Sequence, residues 1–294
     1  MTTDAVLLLD GGMGQELFNR GLAQSDRLWG ARALLDQPDT VREIHEAYLA
    51  AGADVITTNT YSTAPPGLER SGLADRFAEF NETAGRLAVQ ARDAHGGDAL
   101  IAGSLPPLGG SYRPDQVGDD LWMVDNYRRM AEALAPFVDV LLAETLSTSA
   151  EARAAASAAV SVARPIWIGW TVDADGLLLG GETVLEAVEG MKIHGVVANC
   201  APPEAVSQAI ADVVASGAER VGGYANGFAG IPEGWDVMNA GIDQLGGRDD
   251  LGPHAYADIV RTWLDKGANL VGGCCQIGPV HIAALRALID DRTS

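Results

Sequence analysis

Cysteine occurs three times in 294 residues, as Cys200 and as the adjacent pair Cys274-Cys275. The pair follows Gly272-Gly273 at the end of an apolar run, NLVGGCC, an arrangement that packing alone does not call for. A lone cysteine closing a strand is most often a small buried hydrophobe, and an adjacent pair can close into a disulfide or act as a redox switch. Three thiolates with one vacant position, however, form the donor set of a catalytic rather than a structural zinc ion. Two carboxylates close apolar runs in the same way, Asp10 after VLLL and Glu144 after DVLLA.

Other chemistries fit less well. The two lysines, Lys192 and Lys266, lie off every strand-like run, which argues against Schiff-base chemistry. His45, His95, His194 and His281 fall in helix-like segments or at their ends, and His254 opens another, so histidine does not compete for a metal. The glycine pairs Gly222-Gly223 and Gly272-Gly273 suit a phosphate cradle and define a rival reading, a barrel enzyme acting on a phosphorylated substrate. A net charge of −20 excludes a nucleic-acid partner, which needs clustered Lys and Arg. An odd cysteine count favours a reducing compartment. The opening MTTDAVLLLDGGMG has no basic segment and too short an apolar run for a signal or a membrane span, so a cytoplasmic protein with no membrane partner is expected.

The elements that must position these residues alternate in type. Short apolar runs at 6–10, 54–59, 100–105, 139–144, 166–172, 195–200, 220–226 and 269–274 read as strands. Helical periodicity follows each, at 39–51, 67–95, 119–135, 149–163, 182–193, 203–216, 254–267 and 279–291. The strands are continuously apolar, as in a parallel sheet covered on both faces. Eight right-handed βα units predict an α/β fold, a (β/α)8 barrel forming one domain over 1–294; an open doubly wound sheet would carry Gly-x-Gly-x-x-Gly after its first strand, and none stands there. Long irregular stretches at 11–38, 106–118 and 227–253 are then the loops of the active-site mouth. All three cysteines converge on that rim, with Asp10, Glu144, Thr58 and Tyr61 after the second strand, and Asn226 after the seventh. Trp29, Tyr61, Trp170, Tyr224 and Trp235 are the aromatic candidates there for holding a cation.

Five segments, DGGMGQEL at 10–17, GADVITTNTY at 52–61, AETL at 143–146, NC at 199–200 and GGCC at 272–275, resemble the homocysteine S-methyltransferase family. That family includes betaine–homocysteine and S-methylmethionine–homocysteine methyltransferases and the homocysteine domain of cobalamin-dependent methionine synthase. The resemblance spans nearly the whole chain. It implies that Cys200, Cys274 and Cys275 hold Zn2+, with the homocysteine sulfur entering the open position. It further implies that Glu144 receives the amino group of homocysteine, that Asp10 and Gly11 lie beside its amino-acid end, and that Trp29 sits near the methyl donor. The expected reaction is methyl transfer from a sulfonium or quaternary ammonium donor to homocysteine, giving methionine. Departures from the family pattern fall on the donor side: a short loop in GSLPPLGGSY, Thr145 after Glu144, and alanine before Asn226. S-Methylmethionine or S-adenosylmethionine is favoured as donor, with betaine or a dimethylsulfoniopropionate-type sulfonium as alternatives. A zinc or redox thiol sensor on the same scaffold is the non-enzymatic alternative.

Overall fold

A computed structural model describes residues 5–22, 28–232 and 245–293. Eight parallel strands form one sheet: β1 (Leu7–Leu8), β2 (Val55–Thr57), β3 (Leu100–Leu105), β4 (Val140–Leu146), β5 (Ile166–Trp170), β6 (Gly195–Asn199), β7 (Arg220–Tyr224) and β8 (Leu270–Val271). Each strand from β2 to β8 pairs with its sequence neighbour, and β1 pairs with β8. The seam between β1 and β2 is closed by the Leu9–Val55 bridge and by Asp10 N–H donating to the Val55 carbonyl at 3.0 Å. The result is the (β/α)8 barrel.

Strand pleating sorts the apolar residues into two layers. Leu7, Leu9, Val55, Val140, Leu142, Trp167, Val197 and Leu270 fill the barrel interior. Their neighbours Leu8, Ile56, Leu141, Ile168, Val196 and Val271 pack outward under the helices. Alternation along a strand therefore decides the fate of a polar residue. On β4 the inward series Val140, Leu142 continues to Glu144, which points its carboxylate into the mouth.

The outer layer comprises α1 (Met13–Asn19), α2 (Trp29–Asp36), α3 (Pro38–Ala50), α4 (Pro65–Arg70), α5 (Phe77–Ala94), α6 (Asp120–Leu134), α7 (Ser149–Ser161), α8 (Val184–Val188), α9 (Pro203–Ala215), α10 (Pro253–Asp265) and α11 (Pro279–Thr293). Three differ from expectation. The described part of 11–38 carries α1 and α2 rather than only loop, and the starts of both have no side-chain cap to announce them. The expected helix 67–95 is two, because Gly72 takes φ +70 after α4 and turns the chain before α5. The expected helix 182–193 is only α8, because Glu189 leaves the helical region and Gly190 follows at φ +74. Among the described residues no helix is long and apolar enough to cross a membrane.

Candidate metal centre and substrate cavity

The three cysteines reach one point by different routes. Cys200 follows β6 with a left-handed backbone, φ +48. Its N–H donates to the Tyr224 carbonyl at 3.0 Å, and its own carbonyl accepts from Asn226 Nδ2 at 2.8 Å. Cys274 and Cys275 follow β8 and are tied to the β7 loop: Cys274 N–H donates to the Ala225 carbonyl, and Gly227 N–H to the Cys275 carbonyl, both at 2.9 Å. Tyr256 of α10 braces this corner, donating to the Gly272 carbonyl at 2.6 Å and accepting from Ala225 N–H at 3.0 Å. Gly273 has no room for a side chain, since a Cβ there would lie 2.1 Å from Ile277 Cγ2. Gly11 is constrained likewise, its Cβ falling 2.1 Å from the Ile277 carbonyl oxygen.

The sulfur atoms all lie within 4.8 Å of one another and none is in a disulfide. The Cys274 thiol donates to Cys200 Sγ at 2.7 Å. Donors from Cys274, Cys275, Tyr112 and Asn226 pull the Cys200 thiol well below its ordinary pKa, whereas Cys274 and Cys275, beside that developing thiolate, are raised. Three soft, convergent donors with no competing disulfide are the set a tetrahedral zinc site with one exchangeable position requires.

Two carboxylates share the cavity with these sulfurs. Asp10 is 4% exposed; Thr57 donates to it through its N–H at 2.7 Å and its hydroxyl at 2.9 Å. Burial nevertheless raises its pKa to about 8. Glu144 accepts from the Ser104 hydroxyl at 2.5 Å and from Tyr224 Oη at 2.9 Å, and burial raises it to about 7. The chain kinks just after it. Pairing of β4 with β5 shifts between Ala143 and Leu146, and Thr145 takes φ +61. Asn199 holds that kink, accepting from Thr145 N–H at 3.0 Å and donating to its hydroxyl at 2.9 Å. Such backbone costs about 1–3 kcal/mol per residue and concentrates at functional sites. Of the five described non-glycine residues with positive φ, Tyr112, Thr145 and Cys200 line the cavity and Gln276 follows Cys275.

The cavity, about 120 Å³, also meets Gly11, Met13, Thr58, Tyr61, Ser111, Tyr112 and Phe228. No Lys, Arg or His appears among its described lining residues. Burial without a described counter-charge keeps these carboxyls from ionising easily, and an incoming cation would favour their charged forms.

The sequence model of the homocysteine S-methyltransferase family matches residues 7–289. The chain belongs to that family. It is 29% identical to homocysteine S-methyltransferase 1 of Zea mays, over 97% of this chain and 95% of the relative. It is 28% identical to the selenocysteine methyltransferase of Astragalus bisulcatus, over 98% and 93%. Among solved structures it superposes on the metallated form of the homocysteine methyltransferase MmuM from Escherichia coli, with TM-score 0.79 and 28% identity over 96% of each chain.

Within this member of the family the predicted residues fall into three groups. Asp10, Gly11, Thr58, Tyr61, Glu144, Tyr224 and the three cysteines meet at the cavity. Thr58 hydrogen-bonds Thr60 at 2.8 Å, and Tyr61 pairs with Ser111 at 2.7 Å. Asn226 is placed otherwise: its amide donates to the Cys200 carbonyl and accepts from Phe228 N–H, so it braces the backbone at Cys200. Trp170 is a correction. It points outward from β5 into the core, where its indole N–H donates to the Thr148 carbonyl at 3.2 Å, because its pleat position faces the helices. Trp235 lies outside the described residues, and so does the Trp29 side chain, although the backbone of Trp29 opens α2. The glycine pairs also read differently in three dimensions. Cβ atoms at Gly222, Gly223 and Gly272 would collide with Leu270, Val206 and Leu9, so close packing accounts for them without a phosphate. Sequence reasoning missed Thr57, Ser104 and Tyr112; the Gly109-Gly110 pair just ahead of Ser111-Tyr112 was the available signal for the last.

Proposed function

We propose that this chain, as a single barrel domain over 1–294, transfers a methyl group from a sulfonium donor to the thiol of homocysteine. The observation carrying this reading is the cavity that gathers three convergent thiols and two buried carboxylates, with no cationic side chain among its described lining residues. The metallated state of the MmuM relative supports a metal at these cysteines, and the all-sulfur donor set suits zinc. Zinc bound there supplies a lowered pKa for a substrate thiol, so that its thiolate exists near neutral pH.

The protein's residues do the rest. Glu144 accepts the ammonium of homocysteine, held in orientation by Ser104 and Tyr224. Asp10, fixed by Thr57, lines the same cavity as its neighbour Gly11, and the two stand beside the amino-acid end of homocysteine in this reading. In the reaction the homocysteine sulfur forms a bond to the methyl carbon. The carbon–sulfur bond of the donor breaks, its electron pair staying on the departing thioether, and the thiol proton leaves to solvent. The donor's positive charge is thereby cancelled, and a cavity with no described cationic side chain does not oppose its approach. S-Methylmethionine or S-adenosylmethionine meets this requirement. Free thiolate ligands suit a reducing compartment, and the cytoplasm is the proposed location.

The test is a panel of methyl donors, S-methylmethionine, S-adenosylmethionine, dimethylsulfoniopropionate and betaine, each incubated with zinc-loaded protein and homocysteine, with methionine as the readout. Turnover is expected with a sulfonium amino acid. Turnover with betaine alone overturns the donor class, and methionine from no donor overturns the reading.

A further inference from the structure

Tyr112 has no part in the mechanism above, yet it reaches Cys200 from the loop after β3. Its hydroxyl lies 2.9 Å from the Cys200 carbonyl oxygen and 3.1 Å from Cys200 Sγ. Its backbone is held at φ +61, a region that side-chain-bearing residues seldom adopt. The ring walls the substrate cavity on one side and, on the other, a second cavity that also touches Cys200. The Cys200 carbonyl already accepts from Asn226 at 2.8 Å, so Tyr112 is not needed to satisfy that oxygen. What the hydroxyl adds is a donor within reach of the sulfur.

We infer that Tyr112 is a positioning residue for the metal centre, donating its hydroxyl proton to the Cys200 thiolate. A ligating thiolate keeps lone pairs beyond the one it gives the metal, and a hydrogen bond to one of them fixes the sulfur and spreads its charge. The strained backbone of Tyr112 is then part of what aims the hydroxyl. This inference rests on the reading of Cys200, Cys274 and Cys275 as metal ligands.

The experiment uses the full chain stripped of metal and titrated with Zn2+ against a chromophoric chelator, alongside the sulfur-to-cobalt charge-transfer band of the Co2+ form. Tyr112→Phe removes the hydroxyl and keeps the ring. Tyr127→Phe is the control: its buried hydroxyl donates to the Pro106 carbonyl at 3.1 Å, in the same loop but away from sulfur. Tyr112→Phe is expected to weaken Zn2+ binding about ten- to a hundred-fold and to shift the cobalt band, while Tyr127→Phe matches wild type in both. Affinity within twofold of wild type overturns the inference, and so does an equal loss in Tyr127→Phe. Weakened binding with an unshifted band marks general loosening and overturns it too. The band is read on the folded, cobalt-loaded fraction, so lower stability does not hide it. Cys200→Ala separates the two readings. Equal zinc in Cys200→Ala and wild type removes the metal centre itself, whereas loss there with retention in Tyr112→Phe removes only the role of Tyr112.

Discussion

Burial raises the pKa of both Glu144 and Asp10, with expected consequences for affinity at the first and stability at the second. Glu144 carries a raised pKa of about 7 because burial outweighs its bonds from Ser104 and Tyr224. Only its ionised form attracts an ammonium, so kcat/KM for homocysteine is expected to rise with pH up to about 7 and then level, on the account of this group. Glu144→Gln should lack that limb and lose about ten- to a hundred-fold in kcat/KM, the range for a charged hydrogen bond; steady-state kinetics between pH 5.5 and 8.5 check both. Asp10 keeps its proton in the folded protein up to about pH 8, whereas the unfolded chain has its ordinary value of 3.8. Across that window the folded state binds more protons, so the contribution is fully present below about pH 4 and is lost as pH rises through about 8. Asp10→Asn removes the titration. The metal- and substrate-free variant is expected to melt above wild type at pH 8, by ~2–4 °C for each kcal/mol regained, and to converge with it at pH 4. Parallel melting profiles would count against this cause of the shift.

Elements place these side chains through a repeated device at the base of the barrel. The residue just before each even-numbered strand accepts a hydrogen bond from the first N–H groups of the preceding odd one: Leu8 donates to Asp54 at 2.9 Å, Ile101 to Asp139 at 2.8 Å, Ile166 to His194 Nδ1 at 3.3 Å and Val221 to Asn269 at 2.9 Å. The barrel is thus stapled pair by pair at the end opposite the cysteines. Asp139→Ala strands the N–H of Ile101, a fully buried residue, and is expected to cost about 1–3 kcal/mol in chemical denaturation while leaving KM for homocysteine unchanged; a change in KM without a change in midpoint contradicts the structural role. Legibility in the sequence followed the same division. Strands were readable because both faces are buried, giving unbroken apolar runs such as DVLLA and GVVAN. Helices α1 and α2 were not, since neither start carries a capping side chain. The direction of a strand-end aromatic was equally hidden: Tyr224 faces inward to Glu144 and Trp170 outward to Thr148, a difference of pleat phase that composition does not mark.

Over the whole molecule, acidity and site chemistry point the same way. The chain carries a net charge of −20, and no cationic side chain stands among the described residues lining its cavity, so nothing there opposes the approach of the proposed cationic donor and metal dication. The site's core was legible because its members end strands far apart in sequence but adjacent on one rim, as in Asp10, Glu144, Cys200 and Cys274. Tyr112 escaped notice because it lies in the loop after β3, and only folding brings it 3.1 Å from a sulfur 88 residues away. All of these features serve one assignment, a metal held by three protein sulfurs with a place for a fourth from the substrate. X-ray absorption at the zinc edge counts those sulfurs directly. The account predicts three sulfur neighbours in the zinc-loaded protein and four after homocysteine is added; fewer than three at the start, or no gain with homocysteine, would contradict it.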